Sequence, residues 1–411
     1  MCYTPGVTLT ASLIARRAST RIKDLEKARI FGEILSASST SRTRLARELE
    51  LRPTTVSNVI KELLDDGLVR ESARPSEGKR GRPHLMLRPH LNRLSAISVY
   101  VVSTAIQGAL VNLGDELVSE RKRPLPVGAD NEQIMQAIQE VVTELSREVP
   151  ANSELVGVGL SLPGRLNSQR SEWSQTSRWN RLQDLSFEGI ERELGVPVQL
   201  FNSMDAELEY LLSAQAYLRR AGVVLVHWGF GVGASYSIDG EILGGRRGHF
   251  AEIGHWRVDL KNQRRCACGS VGCVETVSAL WSMLPELRTR FPGAPEDEND
   301  FAAFLLEHPI EDDPAIEEAI DSMAIALRNL YRILFPEFIM IHGPFTNKRT
   351  LFTKLSRRFY EELGLDQTRR VTLKALKMDN RREILGSCYP FFRSALDQYL
   401  IARWGSSQKA S

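Results

Sequence analysis

Three of the chain's five cysteines, Cys266, Cys268 and Cys273, fall within eight residues, and His255 stands eleven residues ahead of the first. One imidazole and three thiolates supply all four ligands of a closed tetrahedral zinc site, and Gly269 and Gly272 let so short a loop turn around the ion. With every position taken by protein, the ion is structural, which argues against a zinc hydrolase. Such a knot fixes the acids beside it, Glu252 ahead of His255 and Glu275 behind Cys273. Five cysteines are too few for a disulfide scaffold, so Cys2 and Cys388 read as plain thiols.

The rest of the chain must build domains around that knot. At 411 residues it is long enough for two or three. Charge divides it unevenly: residues 1–90 hold 17 Lys/Arg against 10 Asp/Glu, a net of +7, so the remainder carries −5 of the overall +2. A basic head on an acidic body suits a protein that binds a polyanion. No apolar run approaches the ~20 residues of a membrane span, and the first residues lack the basic-then-apolar order of a signal peptide, so a cytoplasmic protein with no membrane partner is expected.

The basic head reads as three short helices and a wing. Apolar residues recur with helical spacing from Arg21 to Ala37 and stop at a Ser/Thr cluster. A second helix follows a cap at Thr40 or Ser41 and carries Leu45, Ala46 and Leu49 on one face. After a turn at Glu50–Arg52, Pro53 opens a third helix with a buried stripe of Val56, Val59, Ile60, Leu63 and Leu64, ending at Gly67. Its polar face shows Thr54, Thr55, Ser57, Asn58 and Lys61, groups suited to base edges and phosphate in the major groove of duplex DNA. Strand-like steps at Leu68–Glu71 and Leu85–Leu87 flank Gly78–Pro83, a wing whose Arg80 and Arg82 suit a narrow minor groove.

Beyond Pro89 strands alternate with helices. Strands are expected at Leu94–Val102, Ala105–Val111 and Glu116–Glu120, a helix at Asn131–Glu148, then strands at Leu155–Leu162 and Val196–Phe201 with a helix between them. That order implies an α/β domain with a mostly parallel sheet, whose ligand site lies beyond the strand C-termini, where Pro163, Gly164 and Asn202 fall. A second lobe begins near Ala221 with a strand at Val223–His227. The glycine-rich stretches that follow, Gly229–Ala234 and Gly244–Gly248, suit either a hairpin or a backbone cradle for an anion or hydroxyl-rich ligand.

From about Arg21 to Trp404 these residues resemble the ROK family, named for repressors, open reading frames and sugar kinases. Cys266–Glu275 matches its CxCGxxGCxE signature without gaps, and Ala251–His255 is similar to its GEIGH element with alanine for the first glycine. Gly157–Gly164 looks like its GxGxxxPG segment, and Gly229–Ala234 like its GxGxG phosphate element. The resemblance implies an N-terminal extension at 1–20, a winged helix-turn-helix at 21–90, and at 91–411 a two-lobed actin-like body that binds an effector and forms a homodimer or homotetramer. It also implies zinc on His255, Cys266, Cys268 and Cys273, and a sugar or sugar derivative on Asn202, Glu252, His255 and Glu275.

Two departures set the chain apart from the kinases of that family. Where they carry Asn-Asp, with the aspartate as base, this chain has Asn202-Ser203, and a serine hydroxyl is a poor proton acceptor. Where they carry a DxGGT phosphate loop, it reads Tyr100-Val101-Val102-Ser103-Thr104. Asp205 would point away from the strand end and is a poor substitute. The expectation is a transcriptional regulator of carbohydrate genes, a repressor by resemblance, with no enzymatic activity. An active sugar kinase and a regulator governed by a protein partner are the competing readings.

Overall fold

The computed structural model describes residues 22–73, 85–243, 252–258, 263–364 and 371–401. The wing tip with Arg80 and Arg82, and the stretch Gly244–Gly248, lie outside the described residues.

The head forms as its periodicity dictates. Helices α1 (Ile22–Ala37), α2 (Arg42–Glu48) and α3 (Pro53–Asp65) precede a hairpin of β1 (Val69–Ala73) and β2 (Leu85–Pro89). Ser41 is the cap of α2, its hydroxyl accepting from the Arg44 N–H. Thr40 instead exchanges two backbone hydrogen bonds with Leu87, adding a third short strand to the hairpin. Gly67, at φ 72°, turns the chain out of α3. Three helices and a three-strand wing make a winged helix-turn-helix.

The body repeats one plan twice. In the first lobe β3 (Leu94–Val102), β4 (Ala105–Asn112) and β5 (Leu117–Pro124) form an antiparallel meander, and helix α4 (Asn131–Arg147) returns the chain to β6 (Glu154–Leu162). Between β6 and β10 (Val198–Asn202) a helix was expected. The segment is instead a small sheet of β7 (Arg165–Asn167), β8 (Glu172–Gln175) and β9 (Leu185–Ser186), with one helical turn at Ile190–Leu194, because Trp173, Trp179, Leu182 and Leu185 all turn inward onto the lobe's core. The sheet order is β10-β6-β3-β4-β5.

Helix α5 (Ser203–Ala214) leads to the second lobe, whose β11 (Val223–Trp228), β12 (Val232–Ile238) and β13 (Glu241–Leu243) form the same meander. Helices α6 (Leu280–Arg290), α7 (Glu298–Glu307), α8 (Pro314–Leu334) and α9 (Arg349–Glu361) surround it, and β14 (Phe338–His342) and β15 (Thr372–Ala375) complete a sheet of order β13-β12-β11-β14-β15. Each lobe thus has three antiparallel strands joined to two parallel ones.

The last helix, α10 (Asn380–Leu400), crosses back to the first lobe. It lies on the sheet face opposite α4, and the glycines of β6 make room for it. A Cβ at Gly157 would stand 2.1 Å from the Phe391 ring, and one at Gly159 would stand 2.5 Å from the Ser387 carbonyl oxygen. Its buried Leu385, Tyr389, Phe392 and Leu396 belong to one continuous apolar cluster that also holds Phe31, Ile34, Leu45, Val59 and Leu87 of the head. Arg93 tightens the junction: it donates to the Asp66 carbonyl of the head, to Glu154 of β6 and to the Tyr399 hydroxyl of α10. Among the described residues no helix is long and apolar enough to cross a membrane.

A shared core should melt as a unit. Leu396→Ala, at a fully buried position, should cost about 2–5 kcal/mol and lower one cooperative transition followed both by far-ultraviolet dichroism and by a fluorophore on α1. Two transitions with only the body's displaced would show that the head has a core of its own.

Candidate ligand cleft, metal centre and DNA-reading face

A cleft of about 1290 Å³ opens between the lobes, bounded on one side by the ends of β3, β6 and β10 and on the other by β11, β12 and the cysteine loop. Asn202, Glu252, His255 and Glu275 all line it. Each is held by its own segment. Asn202 ends β10 and caps α5, accepting from the Met204 N–H at 3.0 Å and donating to the Gly164 carbonyl at 3.1 Å. Glu275 accepts from the Val232 N–H at 2.9 Å, which fixes it to the first residue of β12. Glu252 precedes the single turn Ile253–His255 and His255 ends it, with the His255 Nε2 3.7 Å from the Glu252 carboxylate. Glu252 is half exposed, the more open of the two carboxylates in that set.

The other nitrogen of His255 turns to the cysteines. Its Nδ1 lies 3.4 Å from Cys266 Sγ, Cys268 Sγ lies 3.7 Å from Cys273 Sγ, and the four atoms all fall within 4.8 Å of one another. Zinc–sulfur bonds of ~2.3 Å in a tetrahedron put sulfurs about 3.8 Å apart, so the donor set fits such an ion. Gly269 and Gly272 take φ of 87° and 69° to close the loop. Burial pushes the Cys266 thiol up to about 12, so a bound cation would have to displace its proton.

At Ser203 the first residue of α5 meets the cleft with a hydroxyl. Asp205 is turned aside: its carboxylate accepts from Ser235 Oγ of β12 at 2.5 Å, and burial raises it to about 6. Gly229–Gly231, read from sequence as a hairpin or an anion cradle, is the tight turn joining β11 to β12, and Val232–Ile238 is strand.

The cleft also gathers residues that sequence reasoning passed over. His227, at the end of β11, stands 3.2 Å from Glu298 at the start of α7, and Arg178 of the first lobe stands 3.3 Å from the same oxygen. Burial opposes charge on both partners, yet Glu298 holds His227 above the usual imidazole range, while His227, Arg178 and the Phe230 N–H hold Glu298 down to about 2. Deeper still, Arg382 in the first turn of α10 pairs with Glu207 at 3.0 Å. Its neighbour Glu383, raised by burial to about 8, accepts from Ser161 Oγ. Only His227 and Ser161, beside strand C-termini, carried a signal, since that is where such sheets place ligands.

The outward face of α3 carries Thr54, Asn58 and Lys61 exposed, with Thr55 and Ser57 half-buried at its edges, opposite the buried Val56, Val59, Ile60 and Leu63. The exposed Arg47 and Arg52 lie in α2 and in the turn leading into α3.

The ROK family profile matches residues 96–391. The chain belongs to the ROK family. It is 22% identical over 383 residues to the xylose repressor of Caldicellulosiruptor bescii, across 89% of this chain and 95% of that protein. A solved ROK family transcriptional regulator, described as a homologue of the Escherichia coli MLC protein, shares the fold at a TM-score of 0.69 and 23% identity, over 92% of this chain and 98% of that one. A ROK glucokinase from Streptomyces griseus, solved with glucose and AMPPNP, aligns at a TM-score of 0.58 and 19% identity, over 72% of this chain and 98% of its own. The body thus has the sugar-kinase-like ROK fold, with a winged head attached.

A carboxyl held at about 2 against an ordinary 4.5 contributes stability that is present above about pH 4.5 and is lost as pH falls toward 2. Melting temperatures of the parent should drop through that window more steeply than those of Glu298→Gln. Superimposable acid profiles would show that the Glu298 charge contributes nothing.

Proposed function

We propose that this ROK protein is a DNA-binding transcriptional regulator of the repressor class. A head at residues 21–90 reads operator DNA, and a body at 91–411 senses a sugar or sugar derivative without phosphorylating it. The observation that carries this reading is the union of two features in one core: a winged helix-turn-helix packed on α10, and a kinase-like cleft whose strand end offers Ser203 in place of a carboxylate. A kinase needs a base on the sugar hydroxyl. Here Asp205 is bound to Ser235 and turned from the strand end.

In the proposed complex α3 enters the major groove with Thr54, Thr55, Ser57 and Asn58 toward base edges and Lys61 toward phosphate, while Arg80 and Arg82 of the wing reach the minor groove. Two copies would place their α3 helices on half-sites about one helical turn apart. Such a protein works where its DNA is, in the cytoplasm. Asn202, Glu252, His255 and Glu275 would hold ligand hydroxyls, and a ligand that favours one lobe arrangement would change how α10 carries the head. Zinc on His255, Cys266, Cys268 and Cys273 would supply no catalysis; it would fix His255 Nε2 and Glu275 toward the ligand.

Point variants test the head better than truncation, because removing it would strip one side of the shared core. Asn58→Ala should cost about 1–3 kcal/mol and relax preference at one base pair, whereas Lys61→Ala should weaken all sequences alike and reduce the salt slope by about one. Retention of full operator affinity by both, measured by fluorescence anisotropy, would refute the reading. On the body, Glu252→Ala should abolish a sugar-induced shift in operator affinity of about 1–3 kcal/mol while leaving DNA binding intact. Turnover of a hexose with ATP by the parent would make it a kinase instead.

Metal analysis of the reduced protein should find about one zinc per chain, since the site takes four ligands. Cys268→Ser should lower both the zinc content and the melting temperature. Protein free of zinc that melts as the loaded protein does would remove the metal from the account.

A further inference from the structure

Two hairpin turns face each other across the cleft, one from each lobe. Ser103–Thr104 joins β3 to β4, with Ser103 at φ 53°, and Gly229–Gly231 joins β11 to β12. Tight turns of this kind present backbone N–H groups and small side chains that suit anions. Both turns are occupied by one short stretch of the chain's own second lobe, the adjacent acids Asp297 and Glu298 at the start of α7.

Asp297 divides its carboxylate. One oxygen caps α7, accepting from the N–H groups of Asn299 at 2.9 Å and Asp300 at 3.2 Å, and the other accepts from Ser103 Oγ of the first lobe. Glu298 gathers three donors on one oxygen: the Phe230 N–H at 2.6 Å, His227 Nε2 at 3.2 Å and the Arg178 guanidinium at 3.3 Å. Arg178 also lies 4.4 Å over the Phe230 ring. The turn can come this close only without a side chain at Gly229, where a Cβ would stand 2.5 Å from His227 Nε2 and 2.8 Å from the Glu298 oxygen. A backbone N–H, an imidazole and a guanidinium converging on one point is a donor set for a phosphate oxygen, and a carboxylate already sits there.

Because Ser103 and Arg178 belong to the first lobe, and Asp297, Glu298, His227 and Phe230 to the second, the same contacts bridge the cleft. We propose that Glu298 is a resident anion that excludes phosphate-bearing ligands from the cleft and, with Asp297, latches the two lobes together. An incoming phosphate must either sit against a buried carboxylate, which like-charge repulsion opposes, or expel it and break its contact with Arg178 across the cleft. The cleft therefore selects a ligand that is uncharged at the end nearest the Gly229–Gly231 turn. This rests on the cleft being the ligand site, but it needs neither operator DNA nor a sugar to be tested.

The test uses the full-length chain with inorganic phosphate and ATP as separate probes, followed by titration calorimetry and thermal melting in buffers matched for ionic strength. The parent should take up neither. Glu298→Ala, which leaves Arg178 and His227 without their anion, should bind phosphate at least about tenfold more tightly than the parent, the equivalent of 1.4 kcal/mol, and should be raised in melting temperature by it. Adding Arg178→Ala should remove that gain. Should Glu298→Ala fail to fold, Glu298→Gln keeps the acceptor oxygen without the charge and should show the same change in smaller degree. Equal phosphate affinity in parent and variants, or none in any variant that melts cooperatively, would overturn the exclusion. For the latch, Glu298→Ala paired with Ser103→Ala should enlarge the radius of gyration in small-angle scattering, and an unchanged value would overturn it. Absence of any sugar response in the parent, with the Glu298 series behaving as stated, would count against the sensor reading alone.

Discussion

Helix α10 joins the floor of the cleft to the core of the head, and its seat depends on the absence of two side chains. Gly157 and Gly159 let it press onto β6 so closely that a methyl at either position would collide with Phe391 or with the Ser387 carbonyl. Close packing converts small displacements at one end of a rigid helix into displacements at the other, because a dense interior has no slack to absorb them. At its first turn Arg382 and Glu383 meet Glu207 and Ser161 at the cleft floor; along its length Phe392 and Leu396 join the core of the head, and near its end Tyr399 meets Arg93. The floor of the cleft and the core of the head thus share one element.

The cleft itself is a place of fixed charges with few free choices. Glu298 stays ionised despite burial because a guanidinium, an imidazole and a backbone N–H all face it, whereas Glu383, with a hydroxyl and another carboxylate nearby, rises and keeps its proton near neutrality. Two buried carboxyls lining the same cleft thereby differ in charge, and the difference lies in their partners. A ligand entering such a cleft would meet Glu252 and Glu275 on one wall and an already neutralised anion site at the Gly229–Gly231 turn, surroundings that suit a polyol more than a nucleotide.

The cysteine loop and the cleft acids Glu252 and Glu275 are one construction. His255 directs Nδ1 at Cys266 and Nε2 at Glu252, so whatever sets the ring against the sulfurs also sets the polar edge it turns to the cleft. Glu275, two residues past Cys273, is tied to β12 through the Val232 N–H. The loop therefore joins the sheet of the second lobe to the wall of the cleft, and a metal there would act on ligand binding through geometry.

Much of this was legible in the residues themselves wherever the deciding contacts are local. The four metal-ligand candidates lie within nineteen residues, so spacing alone brought them together, and the head's three helices follow from apolar periodicity, a serine cap and Pro53. Asn202 at a strand end and Ser203 where a base would stand are likewise statements about adjacent residues. The small sheet after β6 was missed because its strands are two to four residues long, too short for alternation to register, and its tryptophans needed a core to turn toward. Contacts across the chain were beyond any local pattern: Arg178 and Glu298 are 120 residues apart, Ser103 and Asp297 are 194 apart, and Ser161 and Glu383 are 222 apart. By itself the sequence determined the helices of the head, the long strands of the first lobe and the cysteine loop, because those depend on neighbours a few residues away. The tertiary structure alone decided that the glycines of β6 serve a helix and that the glycine turn of β11 holds a glutamate, because each depends on which distant segment the folded chain brings into van der Waals contact.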